Sequence, residues 1–405
     1  MRRQGGFFEK LCTIENIELA DYNARKSKKR SAKYIAKHDA HRDEDNKKIL
    51  ESFKNHTYKT SPYAKFKIYE PKERIIYKLP YYPDRIAQHA IMNVIKPYWT
   101  KLFISNTYSC IEGRGIHKCL QDVKRDLKKT QSTGETKYCL KLDIVKFYPS
   151  IQHEILKKIL RRKIKDKDFL QILDEIIDSV NGYCDKNGVG VPIGNYLSQF
   201  FANLYLTDFD HWCKEVLRCR YYYRYADDIV ILCRSKERLR EIFAAIQKYL
   251  EEKLYLKIKP NYQIFPTDVR GIDFVGYVIR PNYILLRKSI KNKIVFTAAR
   301  YQQGLMSEER YRRAMASYYG WMKYSNSKHL LSVLEQKTGI KYSIFRGKES
   351  KITRFRSLDV NIIDVDIHQK YYIINFVYRS QGYSVKSTNK KQLEEIISKP
   401  NSYIL

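Results

Sequence analysis

The stretch Tyr221-Tyr222-Tyr223-Arg224-Tyr225-Ala226-Asp227-Asp228-Ile229-Val230-Ile231-Leu232 decides how this chain is read. Aromatic and β-branched residues on both sides predict two short strands, and the polar pair between them predicts a tight turn carrying two carboxylates. Upstream, Tyr138-Cys139-Leu140-Lys141-Leu142-Asp143 is another apolar strand that ends on a carboxylate. Asp143, Asp227 and Asp228 therefore gather as hard oxygen ligands at one sheet edge. Mg2+ favours a few carboxylates completed by substrate phosphate oxygens. Two such ions about 3.5–4 Å apart activate an attacking 3′-hydroxyl and stabilise a leaving pyrophosphate, so the chemistry this set supports is nucleotidyl transfer. A bare Asp-Asp is more often a solvated turn; its surroundings decide.

Composition points the same way. The 405 residues carry 77 Lys+Arg against 44 Asp+Glu, a net charge of +33, which demands a polyanionic partner. With 43% hydrophobic residues the chain builds a core, which excludes global disorder. The 35 Tyr and 17 Phe offer stacking faces for unpaired bases. No run approaches the roughly 18 apolar residues of a membrane span, and Met1-Arg2-Arg3-Gln4-Gly5-Gly6 leads into no signal-peptide core. The expectation is a cytoplasmic protein with no membrane association. Its eight cysteines include no C-x-x-C pair and read as reduced core thiols, neither a disulfide framework nor a zinc site.

Along the chain, residues 1–60 predict a basic segment of two or three helices containing the charge run Arg25-Lys26-Ser27-Lys28-Lys29-Arg30. Phe66-Lys67-Ile68-Tyr69, a turn at Glu70-Pro71-Lys72-Glu73, and Arg74-Ile75-Ile76-Tyr77-Lys78 predict a hairpin with its basic residues on one face. A buried helix starts at Ile86, a long amphipathic, basic helical stretch runs from Ile155 to Ile177, a helix opens after Gly194, and another covers Lys236 to Lys253. Helices and strands alternate without βαβ rhythm, which makes the class α+β. Beyond Lys341 the strand-like runs Val360–Ile367 and Tyr371–Val377 predict a small β-rich C-terminal module over 341–405.

Tyr225-Ala226-Asp227-Asp228 between apolar strands resembles the Y-x-D-D box of reverse transcriptases, and the other boxes follow in family order. Leu142-Asp143-Ile144-Val145-Lys146-Phe147-Tyr148 resembles the first palm motif and Ile193-Gly194-Asn195-Tyr196-Leu197-Ser198-Gln199 the palm helix motif. Leu256-Lys257-Ile258-Lys259-Pro260 resembles the next box, Gly271-Ile272-Asp273-Phe274-Val275-Gly276-Tyr277 the primer-grip hairpin, and Lys65, Lys67, Arg74 with Asp84-Arg85-Ile86-Ala87-Gln88 the fingers. The resemblance implies a right-hand polymerase fold: fingers and palm over 61–280 and a thumb over 281–340, where Tyr318-Tyr319-Gly320-Trp321-Met322-Lys323-Tyr324-Ser325 would grip the duplex.

It also implies roles. Asp143, the Ile144 carbonyl, Asp227 and Asp228 would hold two Mg2+, with Mn2+ able to substitute. Lys65, Lys67 and Arg74 would meet the triphosphate of the incoming dNTP, Arg74 as a bidentate fork. Tyr148, after Phe147, would stack under the sugar and exclude a 2′-hydroxyl. Gly194 would bring backbone close to the nascent base pair, with Ile193, Gln199 and Lys257 around the nucleotide and Gly271, Phe274, Gly276 and Tyr277 at the primer. Lys257 and Lys259 share one strand face, and the pattern leaves open whether that face meets the site.

Ile193-Gly194 with Ser198-Gln199 departs from the Gln-Gly and Ser-Pro of retroviral and group II intron enzymes and resembles reverse transcriptases of diversity-generating retroelements. That implies error-prone copying of a structured template RNA, through an RNA/DNA hybrid, with a basic accessory protein. Antiphage-defence reverse transcriptases using their own non-coding RNA are the alternative within the family, and a non-catalytic RNA-binding scaffold is the alternative outside it. The intact carboxylates and Tyr148 weigh against the scaffold.

Overall fold

The computed structural model describes residues 3–26, 33–69, 73–183 and 186–341, and the strands 361–367, 372–378 and 381–387. The N-terminal segment forms four helices, Phe7–Leu11, Ile14–Arg25, Lys33–Asp39 and Arg42–Lys54, where two or three were expected. Thr13 caps the second, its hydroxyl accepting from the Asn16 amide at 3.3 Å. The segment is not separate from the palm: Phe7, Leu11, Ile17, Ala24 and Phe53 are buried in one core with residues of the sheet and of the helix Tyr196–Tyr205.

A single carboxylate fixes that attachment. Asp166 accepts from its own helix at Phe169 N (3.2 Å) and from the first helix at Phe7 N and Phe8 N (2.9 and 2.8 Å). Arg3 donates to the carbonyl of Ile164, and the Tyr98 hydroxyl to that of Lys163. The helical stretch read from Ile155 to Ile177 is accordingly two helices, His153–Lys163 and Lys167–Asp178. Apolar periodicity continues across the break, but residues 163–166 spend their polar groups on the N-terminus.

Strands β1 (Ala64–Ile68) and β2 (Arg74–Lys78) pair antiparallel, with Ile68 opposite Arg74 and Lys65 opposite Tyr77; part of their connecting turn lies outside the described residues. Directly opposed residues share a face, so Lys65 and Lys67 point to one side while Arg74, with Lys78, points to the other. The expected single basic face is not formed, because the register places Arg74 on the face of Phe66 and Ile76.

The central sheet contains β3 (Tyr138–Asp143), β4 (Tyr221–Tyr225), β5 (Asp228–Cys233) and β6 (Gln263–Pro266), in the order β4-β5-β3-β6 and antiparallel throughout. Helix Lys236–Leu254 packs against β3 and β5, and Ile116–Lys129 against β4. The central strands are near-continuous apolar runs because the sheet is buried. Strands β7 (Ile272–Phe274), β8 (Tyr277–Ile279) and β9 (Ile284–Leu286) form a separate antiparallel sheet. Val275 and Gly276, both at positive φ (45° and 86°), make the two-residue turn between β7 and β8.

The chain divides into compact units at Arg287/Lys288. Residues 281–287 belong with β8, since β9 pairs with it, so the helical unit expected from 281 opens at Lys288. By itself that unit has helices Lys288–Gln302, Glu308–Met322 and Lys328–Thr338, with Tyr301 stacked on Tyr311 at 4.5 Å. Beyond it, β10 (Asn361–Ile367), β11 (Tyr372–Tyr378) and β12 (Gln381–Ser387) form an antiparallel meander. The two strand-like runs seen in the sequence are its first two strands, and the third went unread.

Replacing Asp166 with Ala leaves two helix starts uncapped and should cost about 2 kcal/mol of unfolding free energy, at about 1 per cap. Urea denaturation measures this, with Asp166→Asn expected to recover most of the loss.

Candidate active site

The turn that carries the paired aspartates rests on a buried ion pair. Arg224 and Asp210 are both fully buried, and the guanidinium spans the carboxylate through Nε–Oδ1 (2.7 Å) and Nη2–Oδ2 (2.6 Å). Asp210 also accepts from the hydroxyls of Tyr222 (2.6 Å) and Thr107 (3.1 Å). The remaining guanidinium nitrogen donates to Asn203 Oδ1 (3.2 Å) and to the Ala226 carbonyl (2.9 Å). Ala226 stands at φ 54°, a left-handed conformation that favours glycine, so Arg224 holds a strained turn residue in place.

The hairpin register sets Tyr225 opposite Asp228, and β3 sets Asp143 opposite Asp228. The three carboxylates thus arise at neighbouring strand ends of one sheet. Burial lifts the Asp228 carboxyl to about 7, with Asp143 and Asp227 adding to the rise and Lys141 opposing it. Burial and then Asp143 lift Asp227 as well. Asp143 Oδ1 and Asp228 Oδ1 are buried without a hydrogen-bond partner. Unsatisfied anionic oxygens of this kind fit divalent cations. Among the described residues no group of three or more His, Cys, Asp or Glu side chains is placed to hold a metal ion by itself, so an ion here needs further ligands, which for Mg2+ nucleotide phosphates supply. The residues Asp143, Asp227 and Asp228 therefore fit the expected metals. Ile144 is bridged to Ile258 by hydrogen bonds of its neighbours, Val145 N to Lys257 O and Lys259 N to Asp143 O, both 2.8 Å. In that ladder the Ile144 carbonyl points away from Ile258.

Two lysines balance this charge. Lys259 Nζ lies 2.6 Å from Asp143 Oδ2. Lys141 Nζ lies 4.0 Å from Asp228 Oδ2 and donates to the Asp273 carbonyl on β7. Asp273 in turn takes Arg287 at 2.6 Å. Lys259 thus answers the question its alternation with Lys257 left open. Lys257 is exposed and contributes its carbonyl, while Lys259 meets the carboxylates.

The other expected residues are distributed unevenly. Phe147 is buried, and Tyr148 lies in the surroundings of Asp227 and Tyr225, its carbonyl accepting from Val191 N at 3.0 Å. Burial raises the Tyr148 hydroxyl pKa. Lys65 donates to the Tyr183 carbonyl (2.8 Å) and Lys67 pairs with Glu73 (2.7 Å). Arg74 is exposed on the opposite face. Gly194, at φ 116°, faces the fingers: a Cβ there would lie 2.9 Å from Ile76 Cγ2 and 3.1 Å from the Tyr77 carbonyl. Tyr77 N donates to the Ile193 carbonyl at 2.9 Å across the same seam. The close approach predicted for Gly194 is therefore made to β2. Gln199 is exposed on its helix. Phe274 and Tyr277 are fully buried, and a Cβ on Gly271 would lie 2.6 Å from Val278 Cγ1. These residues pack the hairpin, and Gly276 supplies its turn.

Asp210, Lys141 and the bracing role of Arg224 were not anticipated. A charged residue inside the apolar run of β4 was the available signal for Arg224. Nothing in the sequence marks Asp210 as its partner. The thiols are free among the described residues, but Cys110 is exposed and does not belong to the core.

An antiparallel sheet with carboxylates on a hairpin turn and on the adjacent strand end is the palm of a right-hand polymerase. Residues 64–279, more than half of the chain, match the family described as "Reverse transcriptase (RNA-dependent DNA polymerase)", and the chain belongs to that family. Protein YkfC of Escherichia coli is 25% identical over 238 residues (49% of this chain, 61% of that protein). The group II intron-encoded protein LtrA of Lactococcus lactis is 26% identical over 185 residues (44% and 30%). The retron Ec73 reverse transcriptase of Escherichia coli is 22% identical over 267 residues (63% and 78%). The match thus spans less than two thirds of the first two of these relatives. A telomerase structure from Candida albicans, in complex with a fragment of telomeric RNA, aligns at TM-score 0.42 and 12% identity over 73% of this chain and 62% of its own. At that level the alignment adds nothing to the assignment. Among the described residues no helix is long and apolar enough to cross a membrane.

Removing one partner of the Arg224–Asp210 pair strands a buried charge. Arg224→Ala or Asp210→Ala should therefore destabilise by about 3–5 kcal/mol, while Arg224→Met with Asp210→Leu should be far milder. Denaturant melts of the three variants check this, and primer extension should remain low even in the double variant, because the Ala226 carbonyl loses its donor.

The carboxyls give a pH prediction. Asp227 and Asp228 hold their protons more tightly folded than unfolded, so they favour the fold at low pH, and that contribution fades as pH rises through about 7. Metal binding needs them ionised. Mg2+ should raise Tm little at about pH 5.5 and clearly at about pH 8, and Asp228→Asn should raise the metal-free Tm at about pH 8 while removing the Mg2+ response.

Proposed function

We propose that the chain is an RNA-directed DNA polymerase that copies a structured template RNA into cDNA from deoxynucleotides. The observation that carries this is the pair of buried, unpartnered oxygens on Asp143 and Asp228 beside Asp227, inside the matched family region. Divalent ions held by Asp143, Asp227, Asp228 and the Ile144 carbonyl would activate the primer 3′-hydroxyl and neutralise the leaving pyrophosphate. The protein's own groups do the rest. Arg224 fixes the turn so that the carboxylates are preorganised, and Lys259 compensates Asp143. Tyr148, next to the Asp227 turn, takes the sugar face and rejects a 2′-hydroxyl, and Arg74, on the hairpin face whose Ile76 meets Gly194, receives phosphates at the fingers, while Lys65 on the other face is held by the Tyr183 carbonyl. RNA, the RNA/DNA hybrid and a basic accessory protein as partners, and the cytoplasm as location, belong to the same proposal.

Within the family we read the copying as error-prone, of the diversity-generating kind. Support comes from Ile193, which places a branched apolar side chain where related enzymes carry an amide, so that no polar contact is left unmade by a wrong base. One primer-extension experiment with sequenced cDNA tests both levels. Asp227→Ala should abolish synthesis and leave RNA binding nearly intact; wild-type extension by that variant would remove the metal assignment. Ile193→Gln should lower misincorporation opposite template adenine more than opposite other bases. An unchanged error spectrum would favour the defence-type reading, in which the enzyme copies its own non-coding RNA.

A further inference from the structure

At the end of the palm sheet remote from the carboxylates, an open trough of about 330 Å³ is bordered by Arg218, Arg220, Arg234 and Arg238. Its floor includes Cys219, Ile231, Leu232 and Ile242, and Glu135 and Tyr221 stand on its rim. Cys233, also lining it, ends β5 five residues after Asp228, about 17 Å along an extended strand. The trough is therefore no part of the polymerase centre.

The four arginines are not equivalent. Arg220 pairs with Glu135 at 3.2 Å and lies 5.3 Å over the Tyr221 ring. Arg238 pairs with Glu241 at 2.7 Å and donates to the Leu217 carbonyl at 3.2 Å. Arg218 and Arg234 are exposed, and neither makes a hydrogen bond or ion pair among the described residues. The trough thus presents one unopposed guanidinium fork at Arg218, a second at Arg234 whose charge faces Glu135, an apolar floor and an aromatic ring already stacked by a third arginine.

The backbone adds an independent observation. The helix Thr207–Glu215 ends in wide turns, with Leu217 N bonded to Trp212 O (3.1 Å) and Cys219 N to Cys213 O (2.9 Å). Arg218 between them adopts φ 56°, in the left-handed region. Glycine would take that conformation without steric cost. An exposed arginine there is costlier than a glycine and makes no hydrogen bond or ion pair among the described residues in return.

We propose that this trough is a second nucleic-acid site, which holds the sugar-phosphate backbone of single-stranded RNA outside the polymerase centre. Guanidinium forks match phosphate oxygens bidentately, and the Arg220–Tyr221 stack beside them offers a flat surface for a base. An acidic protein surface would satisfy the charges but leave the Arg220–Tyr221 stack unused. The inference rests on the reading that the chain works on RNA. It extends that reading by anchoring the RNA beyond the copied stretch.

The test uses the full chain and a fluorescein-labelled single-stranded RNA oligonucleotide, titrated by anisotropy over a range of KCl concentrations. Variants are Arg218→Gly and Arg218→Gly with Arg234→Ala, each also melted and assayed on a short primed template. Arg218→Gly should keep or raise Tm while weakening RNA binding. The double variant should bind about tenfold more weakly and lose about 1.4 from the log–log salt slope, at about 0.7 per phosphate on a single strand. Extension of the short template should be unchanged. Unchanged affinity and slope would overturn the proposal, including the case in which the trough takes an acidic protein. Loss of affinity accompanied by an equal loss of Tm in both variants would overturn it too. Failure of the unmodified chain to extend any primer is a different result, which strikes the polymerase reading and leaves the binding comparison standing.

Discussion

The geometry of this palm hangs on a guanidinium sealed in the core. Burying a charge is costly unless a partner and hydrogen bonds replace its water, and Arg224 obtains that replacement from several elements at once. Asp210 comes from the helix Thr207–Glu215, Asn203 from the helix Tyr196–Tyr205, and the Ala226 carbonyl from the hairpin turn. Asp210 also draws in Thr107 of the segment beside β4. Movement of any one of these leaves a buried polar group unmatched. The arrangement therefore specifies one position for the turn. An apolar core of equal volume would be as stable and would specify far less.

A few ångströms away the logic is reversed. Asp143 and Asp228 keep oxygens without partners, and burial pushes the Asp227 and Asp228 carboxyls upward. Lys259 and Lys141 satisfy only part of that charge. The fold thus holds a saturated polar cluster underneath an unsaturated one, and the rigidity of the first lets the second stay poised for cations. Local order and local frustration lie on opposite sides of one two-residue turn, which is where functional strain is expected to concentrate.

How much of this was legible depends on the range of the interaction. The hairpin, its turn, β3 and the helix Lys236–Leu254 follow from local periodicity, and the three carboxylates follow from strand ends. Register was not legible: the alternation of Lys65, Lys67 and Arg74 suggested one basic face, and the pairing of Ile68 with Arg74 sends them to two. Pairings across long sequence separations were equally hidden. The break at residues 164–166 and the partnership of Arg224 with Asp210 exist only once distant segments meet. Gly194 was read as a site of close approach, which it is, but the neighbour is β2, and sequence spacing names no neighbour.

The clamp at Asp166 has a bearing on how the chain reaches this structure. Its bonds to Phe7 N and Phe8 N join residues 159 and 158 positions apart. During synthesis the first helix has no partner there until well over a hundred further residues have left the ribosome. Until then Phe7 and Leu11, later buried, have only part of their final surroundings, the helices Ile14–Arg25 and Ile86–Leu102. Such a long closure places the N-terminal helices among the last elements to settle, after the hairpins whose contacts are local. Yield in a cell would then depend on what shields those two side chains in the interval, a matter of chaperone access and translation speed more than of final stability.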